Sequence, residues 1–431
     1  MGETMFNTME LIQALSGKCA CGVYHETSIR DIRVGSGLVH QVGNILRENG
    51  FPQKLLLVAD RNTLRAAEGI VESLTGFQLV FHIYDDIRVA QMEHVTELEA
   101  IIGQEQMGIL SVGTGSVNDP CRLAAARKDK PLCIFATAPS MDGFASYSSP
   151  ILEDGFKLSF PAKSPEVIIG DTRILASAPR ELKSAGFGDM IAKYTALIDW
   201  QVSSLLTGEL YCEKVAKLTR DAVDELFALA DKVTENDEYT AGLIFESLLK
   251  TGIGMSFTQN SRPASGAEHI ISHLIECKQL LEGIIPNFHG DDIGVCTLEL
   301  LKLYNRMAEL PEITTKQEQV DWDEVYAYYG PMAEAVKKVN HPENIVDAVD
   351  PEKLRTAWSQ IREIIAGVPS YQECKAAMEK AGCKITVADI GKPQALFDGC
   401  MRYSPFMRKR LTLLRLYTMI NEMQLTEKEN V

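Results

Sequence analysis

In the run Ser265-Gly-Ala-Glu268-His269-Ile-Ile-Ser-His273, two histidines stand four residues apart, which on a helix stacks them on one face. His289 follows in PNFHGDD, and Asp189 lies in AGFGDMIAK, where two glycines open a helix-like pattern. Three of the eight histidines therefore fall within 21 residues. Two imidazoles and one carboxylate can hold a divalent metal and leave coordination positions open for substrate oxygens. The same spacing also fits histidines satisfied in a core or at a surface, with Glu268 and Asp291 solvated. An HxxxH pair without the intervening Glu is not a metalloprotease motif.

A second chemistry is suggested by Leu110-Ser-Val-Gly113-Thr-Gly115-Ser116-Val117-Asn118-Asp119, an apolar strand entering a glycine-rich turn, with the helical pattern CRLAAARK behind it. Glycines let backbone N–H groups approach a pyrophosphate, and a helix N-terminus adds partial positive charge. Asn118 stands where GxGxxG wants its third glycine, so an ordinary strand-to-helix turn fits equally well. The strand LLLVAD closes on Asp60, whose carboxylate could accept hydrogen bonds from both ribose hydroxyls and disfavour a 2′-phosphate. Asp60 precedes the glycine loop instead of following it, and a turn or helix cap is the alternative role. At a third strand end, Thr137-Ala138-Pro139-Ser140-Met-Asp142-Gly-Phe-Ala-Ser146 offers three hydroxyls and one carboxylate, although turn chemistry also accounts for Pro139 and Asp142.

The elements that must position these residues come in two textures, which change near residue 175. Before it, short apolar runs (KLLLVAD, FQLVFHIYDD, MGILSVGTGS, PLCIFATAPS, EVIIGD) alternate with helical patterns such as NTLRAAEGIVESLTG and EHVTELEAIIGQEQ. Alternating strands and helices predict a mostly parallel, helix-wrapped sheet. After residue 175 the apolar spacing becomes 3 to 4, as in LKSAGFGDMIAKYTALIDWQVSSLL, which predicts a helical domain opened by Pro179 in its first turn. Residues 1–175 and 176–431 are the expected domains, with EKENV a frayed end.

Composition narrows the partners. With 43 basic and 59 acidic residues the net charge is −16, which repels nucleic acid and anionic membrane. No stretch reaches the roughly 18 uninterrupted apolar residues of a membrane span. The N-terminus is acidic and amphipathic, unlike a secretion signal, and Phe6 stands where a Met1-Gly2 myristoylation site wants Ser or Thr. A cytoplasmic protein is expected. The ten cysteines are scattered, several inside apolar runs, and suit reduced thiols better than a disulfide framework. One cluster, Cys19-Ala-Cys21-Gly-Val-Tyr-His25, is half of a possible metal site and lacks a second cysteine pair at structural-zinc spacing.

Taken in order, GTGSVND, TAPSMDGFAS, AGFGDMIAK, SGAEHIISH and NFHGDD resemble the polyol dehydrogenase superfamily that includes glycerol dehydrogenase, metal-containing alcohol dehydrogenases and dehydroquinate synthase. Within it the chain most resembles the sn-glycerol-1-phosphate dehydrogenases. The resemblance runs from about residue 28 to beyond 300. It implies an α/β class: a Rossmann-like N-terminal domain and an all-α C-terminal domain, the dehydroquinate synthase-like fold, with the site in the cleft between. It further implies that Asp60, Gly115, Ser116, Val117, Asn118, Asp119, Thr137, Ala138, Pro139, Ser140 and Ser146 hold NAD(H) or NADP(H). Asp189, His269 and His289 would hold zinc, nickel or iron, while Asp142, Asp189 and His273 would touch the substrate and serve catalysis. The chain departs from the pattern in a longer interval between His269 and His289, with a small insertion in LLEGIIPNFHGDD. Its leader resembles that of bacterial members.

The implied reaction is reversible reduction of dihydroxyacetone phosphate by a reduced nicotinamide to sn-glycerol 1-phosphate, in a homodimer. The metal would stabilise the growing alkoxide, and His273 or metal-bound water would deliver the proton. Arg30, Lys157, Lys163 and Lys193 are phosphate-binding candidates by type alone, and each also fits a solvated surface residue. A plain polyol dehydrogenase, a dehydroquinate-synthase-like cyclase that retains its NAD, and a non-catalytic nucleotide-binding protein are the alternatives.

Overall fold

The computed structural model describes residues 7–421; Met1, Gly2, Phe6 and the EKENV tail lie outside them. The described residues open with helix α1 (Thr8–Leu15) and an antiparallel ribbon of β1 (Gly17–Lys18) and β2 (Tyr24–His25). Strands β3 (Asp31–Gly35), β4 (Lys54–Asp60), β5 (Gln78–Tyr84), β6 (Gly108–Gly113) and β7 (Leu132–Ala136) follow, then a hairpin of β8 (Ser148–Glu153) and β9 (Phe156–Pro161), and finally β10 (Val167–Asp171). All but the ribbon and the hairpin form one parallel sheet in the order β3-β10-β7-β6-β4-β5. Leu57 of β4 lies opposite Phe81 on one side and Leu110 on the other. β6, β7 and β10 are buried along their whole length, which is why they read as continuous apolar runs without alternation. β3 and the hairpin were not legible as strands, since neither carries such a run.

From β4 the chain moves outward to β5, then crosses back to β6 and continues towards β7 and β10. The reversal opens a crevice at the carboxyl ends of β4 and β6, the usual ligand position in an open α/β sheet. Helices α2 (Val42–Glu48), α3 (Arg61–Ala66), α4 (Ile70–Ser73), α5 (Met92–Ile102) and α6 (Gly115–Arg127) wrap this sheet. The pattern NTLRAAEGIVESLTG is two helices, because Gly69 adopts φ 92° between them.

Beyond α7 (Thr172–Ser177) the architecture is helical. Its main helices are α8 (Arg180–Thr207), α9 (Glu213–Phe227), α10 (Glu238–Thr258), α11 (Ala267–Leu281) and α12 (His289–Glu309), with shorter helices between Trp322 and Leu416. Pro179 sits at the N-cap of α8, one position before the helix starts. α8 is buried on nearly every face, so it forms the axis of this half. No helix among the described residues is long and apolar enough to cross a membrane.

The two halves share a core: Trp200, Val215, Phe245 and Leu249 pack with sheet residues such as Leu56, Ile109 and Ile168. Two close approaches fix the geometry. Gly186 of α8 meets the Pro139 carbonyl so tightly that a Cβ there would stand 2.0 Å from its oxygen. At the crossing of α8 and α12, a Cβ on Gly188 would lie 2.5 Å from the Gly290 carbonyl oxygen, and one on Gly290 would lie 1.8 Å from that of Ala185. Only glycine allows backbones this close. We predict that Gly290→Ala lowers stability by on the order of 1–3 kcal/mol, because the helices must separate. An unchanged thermal unfolding midpoint would contradict so tight a crossing.

Candidate active site

The crossing places Asp189, next to Gly188, beside His289, the first residue of α12. His269 comes from the first turn of α11, and one ligand atom from each of the three side chains lies within 4.8 Å of the others. His269 Nε2 is 3.6 Å from Asp189 Oδ1. Its other ring nitrogen, Nδ1, is 2.8 Å from Glu268 Oε1, which fixes the ring and leaves Nε2 free to bind. Glu268 is held in turn by Thr195 Oγ1 at 2.8 Å and the Gly266 N–H. His273, one turn further along α11, faces the same space, its ring centroid 5.7 Å from that of His289. The longer interval after His269 is taken up by the exposed segment 281–285 and does not displace His289 from the group.

Lys193 lies one turn after Asp189, with no exposed surface. Its Nζ donates to Asp189 Oδ1 at 2.8 Å and the Ala264 carbonyl at 3.0 Å, and stands 2.6 Å from Asp142 Oδ2. Asp142 is joined to Asp189 a second way, its backbone N–H donating to Asp189 Oδ2 at 2.9 Å. Burial opposes ionisation of Asp189, but the Lys193 ammonium above all holds its carboxyl down at about 2. Asp142 is pushed up, first by burial and then by the Asp189 charge. Burial drives His289 down to about 3 and His273 well below the usual histidine range, Lys157 adding to the latter shift. Neutral imidazoles are the metal-binding form. Asp142 and Asp189 share the one ammonium of Lys193, and Glu268 is met only by Thr195, the Gly266 N–H and the His269 ring, so the site carries surplus negative charge among neutral nitrogen donors. A divalent cation fits this donor set and charge balance.

Asp142, His269, His273 and His289 line a cavity of about 760 Å³ that extends to the switch-point crevice, while Asp189, Lys193 and Glu268 are fully buried off its wall. Its walls include Asp60, Gly115, Ser116, Asp119, Thr137, Ala138, Ser140, Asp142, Ser146, His269, His273 and His289. The volume suits a nucleotide and a small substrate together. Val117 and Asn118 turn the other way: Val117 is in the sheet core, and Asn118 Oδ1 accepts from Ser111 Oγ at 2.6 Å. Their N–H groups bond the Thr114 carbonyl, which leaves those of Gly115 and Ser116 as the free donors of the first turn. Pro139 is also off the wall, its carbonyl set against Gly186. Asp60 caps α3 through the Thr63 N–H at 2.8 Å and also lines the cavity.

Of the four cations considered by type, Lys157 and Lys193 reach the site, and Arg30 and Lys163 do not. Lys193, which could pass for a solvated residue in the sequence, is wholly buried. Its spacing four residues after Asp189, an acid–base pair on one helix face, is the signal that marks it. Arg122 was also missed. Fully buried, it pairs with Asp119 at 2.6 Å and donates to the carbonyls of Phe144 and Ser148, so it ties α6 to the turn carrying Asp142. Arg410 donates to the Ser265 carbonyl at 2.6 Å and to Ser261 Oγ, behind two serines on the wall. No local pattern connects residues so far apart in the chain.

Residues 33–179 match the model of the family described as iron-containing alcohol dehydrogenase. A glycerol-1-phosphate dehydrogenase [NAD(P)+] of Halalkalibacterium halodurans is 28% identical over 418 residues, spanning 95% of this chain and 98% of the relative. One from Methanosarcina mazei is 31% identical, spanning 73% of this chain and 82% of the relative. The solved histidine-to-alanine mutant of an archaeal halo-thermophilic alcohol dehydrogenase from a Red Sea brine pool superposes with a TM-score of 0.61 at 14% identity, covering 89% of this chain and 92% of that one, and shares the fold. With identity of this degree extending over most of both chains, the protein belongs to the glycerol-1-phosphate dehydrogenase family.

Proposed function

We propose that this chain catalyses the reversible reduction of dihydroxyacetone phosphate by NAD(P)H to sn-glycerol 1-phosphate, with one divalent ion held by Asp189, His269 and His289. The observation that carries the reading is the convergence of these three side chains, two of which, His269 and His289, line the cavity that also takes in the glycine turn at Gly115. When bound, the ion supplies positive charge to a ketone oxygen, and the nicotinamide supplies hydride.

The chain's own residues do the rest. Glu268 orients His269, and Lys193 keeps Asp189 ionised and Asp142 in register with it. His273, held neutral by burial, can exchange a single proton with a substrate hydroxyl at a ring nitrogen. The N–H groups of Gly115 and Ser116 receive the pyrophosphate at the start of α6, and Asp60 meets the ribose. Lys157, paired with Glu276 at 2.6 Å, is the lysine on the wall near His273, with Ser261 and Ser265 backed by Arg410, and this is where the substrate phosphate would bind, in exchange for Glu276.

Three outcomes test this reading. Asp189→Asn should abolish metal-dependent NADH oxidation with dihydroxyacetone phosphate while the circular dichroism spectrum is kept; full turnover with unchanged metal content would refute the ligand set. Lys157→Met should raise KM for dihydroxyacetone phosphate about 10- to 150-fold, the worth of a charge-assisted hydrogen bond of about 1.5–3 kcal/mol, and leave that for unphosphorylated dihydroxyacetone unchanged. Equal losses on both ketones would remove Lys157 from phosphate capture. Asp60→Asn keeps the cap of α3 but removes the charge, so NADPH should gain on NADH in kcat/KM; an unaltered ratio would leave Asp60 a cap only.

A further inference from the structure

Apart from the cavity, a second group of soft donors converges. Cys19 and Cys21, in the turn between β1 and β2, and His25, in β2, meet Cys212, the N-cap residue of α9. Their ligand atoms all lie within 4.8 Å of one another. The sequence shows only the first three, because 187 residues separate His25 from the fourth.

From this geometry we infer that Cys19, Cys21, His25 and Cys212 form a structural zinc site that fastens the N-terminal leader to the helical half. Cys19 Sγ stands 3.7 Å from Cys212 Sγ, and His25 Nε2 lies 3.5 Å from Cys21 Sγ and 3.6 Å from Cys212 Sγ. A tetrahedral zinc ion with Zn–S bonds of about 2.3 Å and Zn–N bonds of about 2.0–2.1 Å sets sulfurs about 3.8 Å apart and sulfur about 3.5 Å from nitrogen. The observed spacings match both. His25 is prepared as a ligand: its Nδ1 faces the Leu15 carbonyl at 3.1 Å, so the proton resides there and Nε2 presents a lone pair. The ring is stacked on Phe257 with centroids 5.1 Å apart, and neither His25 nor Cys212 has exposed surface.

Four donors, three of them thiols, leave no open position, which is the form of a structural centre and not a catalytic one. None of the four lines the cavity. A sulfur–sulfur distance of 3.7 Å is far beyond the about 2.05 Å of a disulfide. The leader also needs such a tie: an eight-residue helix and two two-residue strands cannot persist by themselves. Apart from the metal, they are anchored by Ile12 in the sheet core and the bond from Thr8 Oγ1 to Glu246 Oε1 at 2.8 Å.

The test uses the full chain carrying Asp189→Asn and His269→Ala, which disable the other candidate metal site, expressed in zinc-supplemented medium. Elemental analysis should find one zinc per chain, and zinc-edge X-ray absorption should show three sulfurs and one nitrogen. Adding Cys19→Ser and Cys212→Ser should remove that zinc and lower the thermal unfolding midpoint. If this last protein does not fold, the absorption spectrum of the folded chain with intact cysteines still decides. A folded chain without zinc, zinc bound only through oxygen and nitrogen, or a Cys19–Cys212 disulfide in protein isolated under reducing conditions would overturn the inference.

Discussion

The active-site geometry depends on the backbone contact between α8 and α12. Gly188 and Gly290 let the two helices approach until main-chain atoms touch, and the neighbouring residues Asp189 and His289 are thereby brought face to face. No side-chain preference could do this, since any Cβ at the contact would force the helices apart and carry the two donors with them. Gly186, two positions earlier, performs the same service for the loop after β7. One helix thus sets the position of the Asp189 carboxylate against both His289 and the loop after β7.

A carboxylate with no exposed surface is costly to bury unless its charge is met. Lys193 meets it within the same helix, and also holds Asp142, so the turn after β7 and the axis of the helical half are joined by one ammonium. Arg122 secures the same turn from the opposite side by gripping its carbonyls, and its partner Asp119, pushed up to about 6 by burial against the Arg122 charge, completes that anchor. Two buried cations therefore hold the one loop that carries Asp142 on the cavity wall. Rigid placement of such groups is what a hydride transfer requires, because small errors in approach are expensive.

Much of this was readable in the amino-acid order. The alternation of buried apolar runs with helices forecast the parallel sheet, and the change of spacing near residue 175 forecast the helical half, because each reflects a local periodicity. The pairing of His269 and His273 on one face followed from helix geometry alone. Hidden were the features set by packing: that Val117 and Asn118 face inward within a turn otherwise open to ligand, that Lys193 is interior, and that Arg410 backs serines some 145 residues away. Cys212 belongs with these, since nothing near it in the chain points to Cys19 or His25. The sequence shows residues that act through neighbours, but partnerships made by folding become visible only in three dimensions.

The stretch between α11 and α12 shows a different kind of freedom. His289 owes its place to the helix it begins and to Gly290 behind it, while residues 281–285 run exposed and Pro286 to Phe288 reach the mouth of the cavity. Length and composition in residues 281–285 are uncoupled from the placement of His289, because Asn287, donating to Asp292 Oδ1 and the Ile390 carbonyl at 2.8 Å, pins the chain beyond them. Such a span can be lengthened, shortened or rewritten to reshape the entrance, so it is the natural ground on which evolution or an engineer could alter what is admitted without disturbing what is done inside.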